Sequence, residues 1–297
     1  MQRRKFICNS SMVALSMSVF GKIKWNGTSY VGSDPTTADI LGPFYRPGAP
    51  IRTDLVQPGT RGDITRFSGI IFGKDGKTPE KNALLEIWHC NENGQYDNTS
   101  DDYVYRASWR TGADGKYDFR TIMPVPYKVS ETGTRPAHIH MRISGTTDQD
   151  LVTQIYFKGD KYIPGDTSSS DPKSINRILD VTTNAKNEKL VRFDVVLQDA
   201  YILDAGGYKK IEGLYDMGKG VMTEFYHEGD DLFIKYNGQI EEATEYKGNN
   251  SFEGGLGQLK VQFELLPGDA VKVKITYLDN NNKFVTDEGT RLLKYPG

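Results

Sequence analysis

The chain has 297 residues, of which 37% are hydrophobic and 26% are charged. This composition excludes a disordered chain, and the chain is long enough to bury a full hydrophobic core. Its 37 basic and 39 acidic residues give a net charge of −2, with no strong basic block after residue 5, which argues against nucleic acid as a partner. Glycine and tyrosine are abundant, long helical periodicities are scarce and short alternating runs recur. We therefore expect an all-β protein.

The first twenty residues are typical of a targeting segment. Arg3 and Arg4 precede an apolar, serine- and methionine-rich run over residues 8–20, and this arrangement resembles a bacterial twin-arginine export signal. An ordinary basic, apolar start is the alternative, because no clean cleavage site follows. We expect residues 1–34 to be an export signal and linker, and the mature protein to be periplasmic or extracellular. No later run approaches the ~20 apolar residues of a membrane span.

Residues 35–204 contain short strand-like runs separated by turns, and we interpret them as one domain. The segment 41–50 is rich in proline and glycine yet carries two aromatic residues, so we expect it to lie across a core. Residues 161–184 are expected to form a long surface loop with at most one helical turn. The predicted strands of this domain are 67–72, 83–88, 105–111, 117–122, 151–157 and 192–197.

Residues 205–297 are interpreted as a second, smaller β domain, either an antiparallel sheet or a barrel. The evidence is a set of alternating stretches at 221–226, 232–236, 259–265 and 271–277, joined by turns. Aromatic residues in this domain can bind a polymer or pack against the first domain, and we favour packing.

His138 and His140 are the first chemically suggestive pair. In a strand their side chains lie on one face, about 6.6 Å apart along the backbone, and two imidazoles can then converge on one point. The pair alone is a weak indication, since a satisfied polar strand face has the same pattern.

Tyr96 and Tyr127 are candidate partners, because they follow a glycine turn and a proline-rich loop. Two tyrosinates with imidazole suit ferric iron, and with one hydroxide they balance its three positive charges. Free tyrosine titrates near pH 10, so only a strongly charged ion could hold both as phenolates. However, the chain has 17 tyrosines, so spacing alone leaves the metal site open.

Five sequence blocks, taken in order, resemble the intradiol ring-cleavage dioxygenases, the family of catechol 1,2-dioxygenase and protocatechuate 3,4-dioxygenase. The resemblance covers about residues 36–200 and is far more specific than two histidines. The blocks are 41–50, 83–96 (ALLEIWHCNENGQY), 114–127 (DGKYDFRTIMPVPY), 135–140 (RPAHIH) and 151–160 (LVTQIYFKGD).

The resemblance implies a β-sandwich with non-haem Fe(III) at one edge. By motif match, Arg135 stabilises negative charge on the substrate and Gln154 is an active-site glutamine. Tyr127 is the ligand that substrate displaces, and it then acts as a base. The implied iron ligands are Tyr96, Tyr127, His138 and His140.

The implied reaction is cleavage of a catechol by O₂ between its two hydroxyl-bearing carbons, giving a cis,cis-muconate. This sequence departs from the family pattern at Val129, where protocatechuate enzymes carry tryptophan, which argues against carboxylate-bearing catechols. The interval between the second tyrosine and the histidines is also short, which implies a trimmed loop. Residues 1–35 cannot build the helical dimerisation domain of the catechol enzymes. The sequence therefore does not decide the oligomeric state, and a homo-oligomer stays open.

Two other function classes fit the residues less well. A non-catalytic β-sandwich binding module would not need the four candidate ligands and Arg135. A zinc hydrolase using His138 and His140 leaves two tyrosines unexplained, because zinc prefers cysteine, histidine and carboxylate ligands.

Several further residues are expected to be structural. Trp88 and Tyr117 are interpreted as core aromatics and Cys90 as a buried thiol. We expect no chemical role for His89 and a surface position for His227. With Cys8 as the second cysteine, no structural disulfide is expected.

Overall fold

The computed structural model of the protein describes residues 35–131, 133–146, 148–279 and 283–292, and the backbone of two short strands, β1 (Ile23–Trp25) and β2 (Tyr30–Gly32). The predicted targeting segment, including Cys8, lies outside the described residues. The all-β class is confirmed, because the described residues form 22 strands and a single α-helix. None of the described helices is long and apolar enough to cross a membrane.

The first domain is a sandwich of two five-stranded sheets with a separate two-stranded ribbon, β7–β8. One sheet has the strand order β11-β10-β9-β4-β5, and the other is built around β3. The strands are β3 (Ile64–Phe72), β4 (Leu84–Trp88), β5 (Arg106–Arg110), β6 (Lys116–Ile122), β7 (Tyr127–Lys128), β8 (Thr134–Arg135), β9 (His138–Ser144), β10 (Leu151–Phe157), β11 (Ile178–Leu179), β12 (Thr182–Thr183), β13 (Lys189–Arg192) and β14 (Val195–Val196).

Strand β9 shows how the sandwich positions the site. Because side chains alternate along a strand, Ile139 and Met141 enter the core between the sheets, while His138 and His140 face the opposite side. The neighbouring strands are in register with this outward face: Trp88 of β4 and Gln154 of β10 both pair with His140. The outer face of the sheet therefore brings chemically active side chains together.

The loop prediction for residues 161–184 is wrong in part. The segment contains two 3₁₀ helices, Ile163–Gly165 and Pro172–Arg177, and the short strands β11 and β12. Arg177 is buried, because its guanidinium pairs with Asp39 and donates to the backbone carbonyl of Gln154 at 2.6 Å. The segment thus packs against the site instead of lying free on the surface.

The predicted strand at residues 192–197 is divided into β13 and β14. Both halves run parallel to β3 in the same register. Between them, the Asp194 carboxylate accepts the Ile70 backbone N–H at 3.0 Å, so a side chain replaces one backbone partner.

The second domain is a closed antiparallel barrel of eight strands, preceded by helix α1 (Ala205–Ile211). The sequence patterns did not predict α1, the first barrel strand or three of the later barrel strands. The last strand was missed because its burial pattern is almost wholly exposed. The barrel strands are β15 (Gly213–Asp216), β16 (Met222–Glu228), β17 (Asp231–Tyr236), β18 (Gln239–Gly248), β19 (Ser251–Gly254), β20 (Leu259–Leu265), β21 (Val271–Leu278) and β22 (Phe284–Arg291).

The two domains share a buried interface on the outer face of the β9 sheet. Phe233 of β17 stacks on Tyr45 at 5.6 Å, and Tyr45 lies 5.0 Å from the Trp88 ring. The expectation that barrel aromatics pack against the first domain is confirmed, as is burial of the 41–50 segment through Tyr45. The barrel therefore forms part of the wall behind the site.

Candidate active site

The four predicted ligands converge beside the start of β9. The Tyr96 hydroxyl oxygen lies 3.2 Å from Nε2 of His138 and 3.2 Å from Nε2 of His140. The two Nε2 atoms are 3.2 Å apart, and the Tyr127 hydroxyl lies 3.4 Å from His138 Nε2. Residues from a loop, a ribbon strand and a sheet strand thus meet at one point.

These separations fit a bound transition-metal ion. Nitrogen and oxygen ligands sit about 2.0–2.1 Å from a first-row metal such as zinc, and donors at the corners of a tetrahedron of that size are about 3.3–3.4 Å apart. The donors here are two imidazoles and two phenols. No group of three or more His, Cys, Asp or Glu side chains suitable for a metal occurs in the described part of the chain.

The histidines are held in an orientation suitable for metal binding. His138 Nδ1–H donates to the Pro136 carbonyl at 2.6 Å, which leaves the lone pair on Nε2 facing the other donors. His140 stacks on Trp88, with ring centroids 4.9 Å apart and planes 9° from parallel. Gly42, at φ +76°, also lies close to this ring, and a Cβ added there would stand 3.3 Å from the imidazole Cε1.

Burial sets the charge state of the donors. It lowers the pKa of His138 and of His140 well below the usual value, helped by Arg135, so both imidazoles are neutral and able to bind a metal. It also raises the pKa of Tyr96 and of Tyr127 above 10, so these phenols ionise only beside a strong positive charge. The donor set therefore fits a highly charged ion such as Fe(III).

Arg135 faces the site from β8 and is held by three groups. Its Nη2 donates to Gln154 Oε1 at 2.9 Å and to the Tyr156 hydroxyl at 3.2 Å, and its Nε pairs with Asp166 at 2.6 Å. Burial opposes its charge, but Tyr156 and Asp166 outweigh burial and raise the pKa of Arg135 above its ordinary value. The guanidinium is thus a fixed positive charge.

Two residues that hold Arg135, Tyr156 and Asp166, were not predicted from the sequence. Tyr156 could have been found, because it lies two residues after Gln154 and so on the same face of β10. Asp166 gave no such indication, since it follows the 3₁₀ helix Ile163–Gly165 and approaches only through tertiary structure. Gln154 itself is anchored by donating from Nε2 to the Ile40 carbonyl at 2.7 Å.

A cleft of about 850 Å³ opens above the donors, a size suited to a small ligand. Its lining includes Phe44, Tyr96, Tyr127, Val129 and Arg135. Phe44 stacks on Tyr96 with centroids 4.2 Å apart, and Val129 stands at the rim with 59% of its surface exposed. The cleft therefore has room for an aromatic ring beside both tyrosines and the arginine.

The remaining predicted residues lie outside the donor set. Trp88, Tyr117 and Cys90 are buried, as predicted, and Trp88 also supports His140. His89 is buried, with Nε2 2.8 Å from the Thr121 hydroxyl. His227 lies partly exposed at the barrel surface, as expected, where it pairs with Glu212 at 2.5 Å and stacks on Tyr208.

Comparison with known proteins agrees with this geometry. The family model described as Dioxygenase matches residues 40–199, more than half of the chain. A chlorocatechol 1,2-dioxygenase of Rhodococcus opacus is 30% identical over 210 residues, covering 62% of this chain and 80% of that protein.

Two further relatives are of the catechol type. A catechol 1,2-dioxygenase of Acinetobacter lwoffii is 39% identical over 151 residues, covering 44% of this chain and 54% of the relative, so the chain spans about half of that protein. The solved structure of catechol 1,2-dioxygenase from Pseudomonas arvilla has a TM-score of 0.51 and 29% identity, covering 58% of this chain and 64% of that one. The chain belongs to the intradiol ring-cleavage dioxygenase family.

Proposed function

We propose that the protein is a non-haem Fe(III) intradiol dioxygenase. It would cleave catechol-type aromatics with O₂ between the two hydroxyl-bearing carbons and give cis,cis-muconate-type products. The observation that carries this proposal is the convergence of two phenols and two neutral imidazoles, 3.2–3.4 Å apart, beneath a cleft that also contains Arg135.

Tyr96, Tyr127, His138 and His140 would hold the iron. When bound, ferric iron supplies a Lewis-acidic centre that draws electron density from a catecholate and so prepares the ring for reaction with O₂. The chain's own contribution is to place the substrate, remove its protons and stabilise the charge that develops on it.

We assign Tyr127 as the residue that gives way to substrate and takes up a substrate proton. The Tyr96 hydroxyl contacts both imidazoles and its ring stacks on Phe44, whereas the Tyr127 hydroxyl contacts the imidazole of His138 alone. The Tyr127 ring meets Phe44 and Tyr96 only edge-on. Tyr127 also sits on a ribbon of two-residue strands, which is less constrained than the sheet. A phenolate released beside bound catechol would be well placed to take up its proton as a general base.

Arg135 would stabilise the negative charge that develops on the substrate. Its guanidinium is fixed before substrate arrives by Gln154, Tyr156 and Asp166, so little reorganisation is needed during the reaction. Val129 places an apolar side chain at the rim of the cleft. We therefore expect neutral catechols, including ring-substituted ones, to be better substrates than carboxylated catechols.

An oxygen-uptake screen over catechol, chlorocatechols and protocatechuate tests this proposal. We expect one O₂ consumed for each catechol, with both oxygen atoms recovered in a muconate and little turnover of protocatechuate. Catechol binding without oxygen uptake in iron-loaded protein would support the non-catalytic binding module instead.

We also propose that the enzyme is exported. The support is Arg3 and Arg4 ahead of the apolar run, and replacing both with lysine should retain the protein in the cytoplasm. Equal export of the doubly substituted protein would contradict this proposal.

A further inference from the structure

The two ends of the C-terminal barrel differ. Helix α1 closes one end, where Tyr208 and Ile211 join the barrel core and the Tyr208 hydroxyl donates to the Asp230 carbonyl at 2.9 Å. At the opposite end, the strand ends surround a cavity of about 650 Å³. Eight-stranded barrels have an interior wide enough to hold a small ligand, and this volume lies within the usual range for ligand sites.

The cavity has a largely apolar wall. Ile234, Tyr236 and Leu259 line it from the barrel strands, and Val221 stands at its rim with 43% of its surface exposed. The first domain contributes Ile40, which also lines the cavity. This wall suits an apolar body about as large as a single ring.

Glu242 supplies an unsatisfied polar group at this cavity. Its neighbour Ala243 packs against the first domain, so alternation along β18 turns Glu242 toward the barrel interior, opposite Ile234. The Leu41 backbone N–H donates to the carboxylate, but Glu242 Oε2 is buried and has no hydrogen-bond partner among the described residues. A buried polar atom without a partner is costly, and a ligand donor would remove that cost.

The charge around the cavity restricts the ligand. Glu241 and Asp287 line it together with Glu242, while no lysine or arginine appears among the described lining residues. Burial, with Asp39 and Glu241 nearby, raises the pKa of Glu242 to about 8. Near pH 7 the Glu242 carboxyl therefore holds a proton until a cation lies beside it, and a cationic amino group would replace that proton and pair with the carboxylate. An anion finds no basic partner among the described lining residues.

We propose that the open end of the barrel binds a small molecule that has an apolar body and a cationic amino group, with the amino group donating to Glu242. This cavity shares no lining residue with the ring-cleavage cleft, and the proposal does not depend on the function proposed above. Hydrogen bonds between charged groups are about twice as strong as neutral ones, so charge should dominate selection among ligands of equal size.

Three probes with the same ring and different charge test the proposal: benzylamine, benzyl alcohol and benzoate. Calorimetric titration of the full-length, iron-loaded protein should give at least about tenfold tighter binding of benzylamine than of benzyl alcohol. Benzoate should not compete with benzylamine. Competition by benzoate, or no benzylamine binding, would overturn the proposal.

Variants locate the binding. Glu242→Gln should weaken benzylamine binding at least about tenfold, because it removes the charged acceptor. Val221→Trp should block the rim, and it provides a second test at an exposed position that leaves the barrel core intact. Glu264→Gln makes the same charge change at an exposed position near the closed end, and it should bind benzylamine like the parent protein. Undiminished binding in both Glu242→Gln and Val221→Trp would place benzylamine elsewhere and reject the site.

Discussion

At the scale of single residues, the site depends on side chains whose state is fixed by a few neighbours. The Pro136 carbonyl selects the tautomer of His138, and Trp88 and Gly42 confine the ring of His140. The motif match predicted Tyr96, and the structure brings it together with both histidines. The supports of these residues could not be predicted, because they come from distant segments and carry no local pattern.

Removing His138 should remove most of the metal affinity. His138→Ala deletes one of four donors, and we expect iron content after purification to fall more than tenfold, as even outer contacts change metal affinity by about 10–100-fold. His227→Ala is the matched control, since His227 lies in the barrel and pairs with Glu212. Elemental analysis of the two folded variants provides the measurement; equal iron content would remove His138 from the ligand set.

Arg135 should affect turnover much more than iron content. Arg135→Met removes the fixed charge, and losing one preorganised group of this kind lowers kcat by about 10²–10³. Arg135→Lys should recover part of the loss, because lysine keeps the charge but not the fork of donors. Steady-state oxygen uptake at matched iron occupancy measures this; unchanged kcat in Arg135→Met would exclude the assigned role.

At the scale of secondary structure, β9 serves both the site and the domain interface. His138, His140 and Arg142 alternate onto the same outer face, so one strand carries two ligands and then the main polar contact with the barrel. Arg142 is buried and pairs with Glu86 at 3.0 Å and with Asp231 of the barrel at 2.9 Å. The alternation of β9 was predictable, but the partner of Arg142 was not, because it lies 89 residues away.

Arg142 should be important for stability. Arg142→Met keeps the apolar stem but leaves buried carboxylates without their cation, and breaking a buried pair in this way costs about 3–5 kcal/mol. Arg66→Met is the control, since its ion pair with Asp118 is about half exposed and should change the unfolding free energy by less than about 1 kcal/mol. Urea unfolding compares them; similar losses for both variants would contradict a special role for Arg142.

At the scale of the whole molecule, the barrel packs against the outer face of the sheet that carries the site. A chain of ring contacts runs from His140 through Trp88 and Tyr45 to Phe233, so the barrel supports the wall behind the donors. The sequence predicted either an open sheet or a barrel, but it did not show that the eight strands close into a barrel. Strand β22 completes the circle with mostly polar, exposed side chains, which lack the alternation that identifies a half-buried strand.

The interface should also make the free energy of unfolding depend on pH. Burial and the nearby Asp231 raise the pKa of Asp150 despite its ion pair with Arg142. An unfolded aspartate titrates near 3.9, so above about pH 4 the folded protein holds a proton that the unfolded chain has released. The unfolding free energy should therefore fall as pH rises from about 4 toward the raised folded pKa.

Asp150→Asn should make this dependence shallower without removing it, because burial also raises the pKa of the neighbouring Asp231, to about 6. Asp118→Asn, at a half-exposed position, serves as the control and should keep the parent slope. Urea unfolding at a series of pH values gives the slopes. If Asp150→Asn retains the slope of the parent protein, another group is responsible.

The visible absorption spectrum of the purified protein, recorded with its iron content, is the decisive test for a ferric site with tyrosinate ligands. We predict one ferric ion per chain and a wine-red colour from charge transfer between tyrosinate and iron, lost or strongly weakened in Tyr96→Phe. A folded, colourless protein that contains zinc or no metal would contradict the assignment of a ferric site.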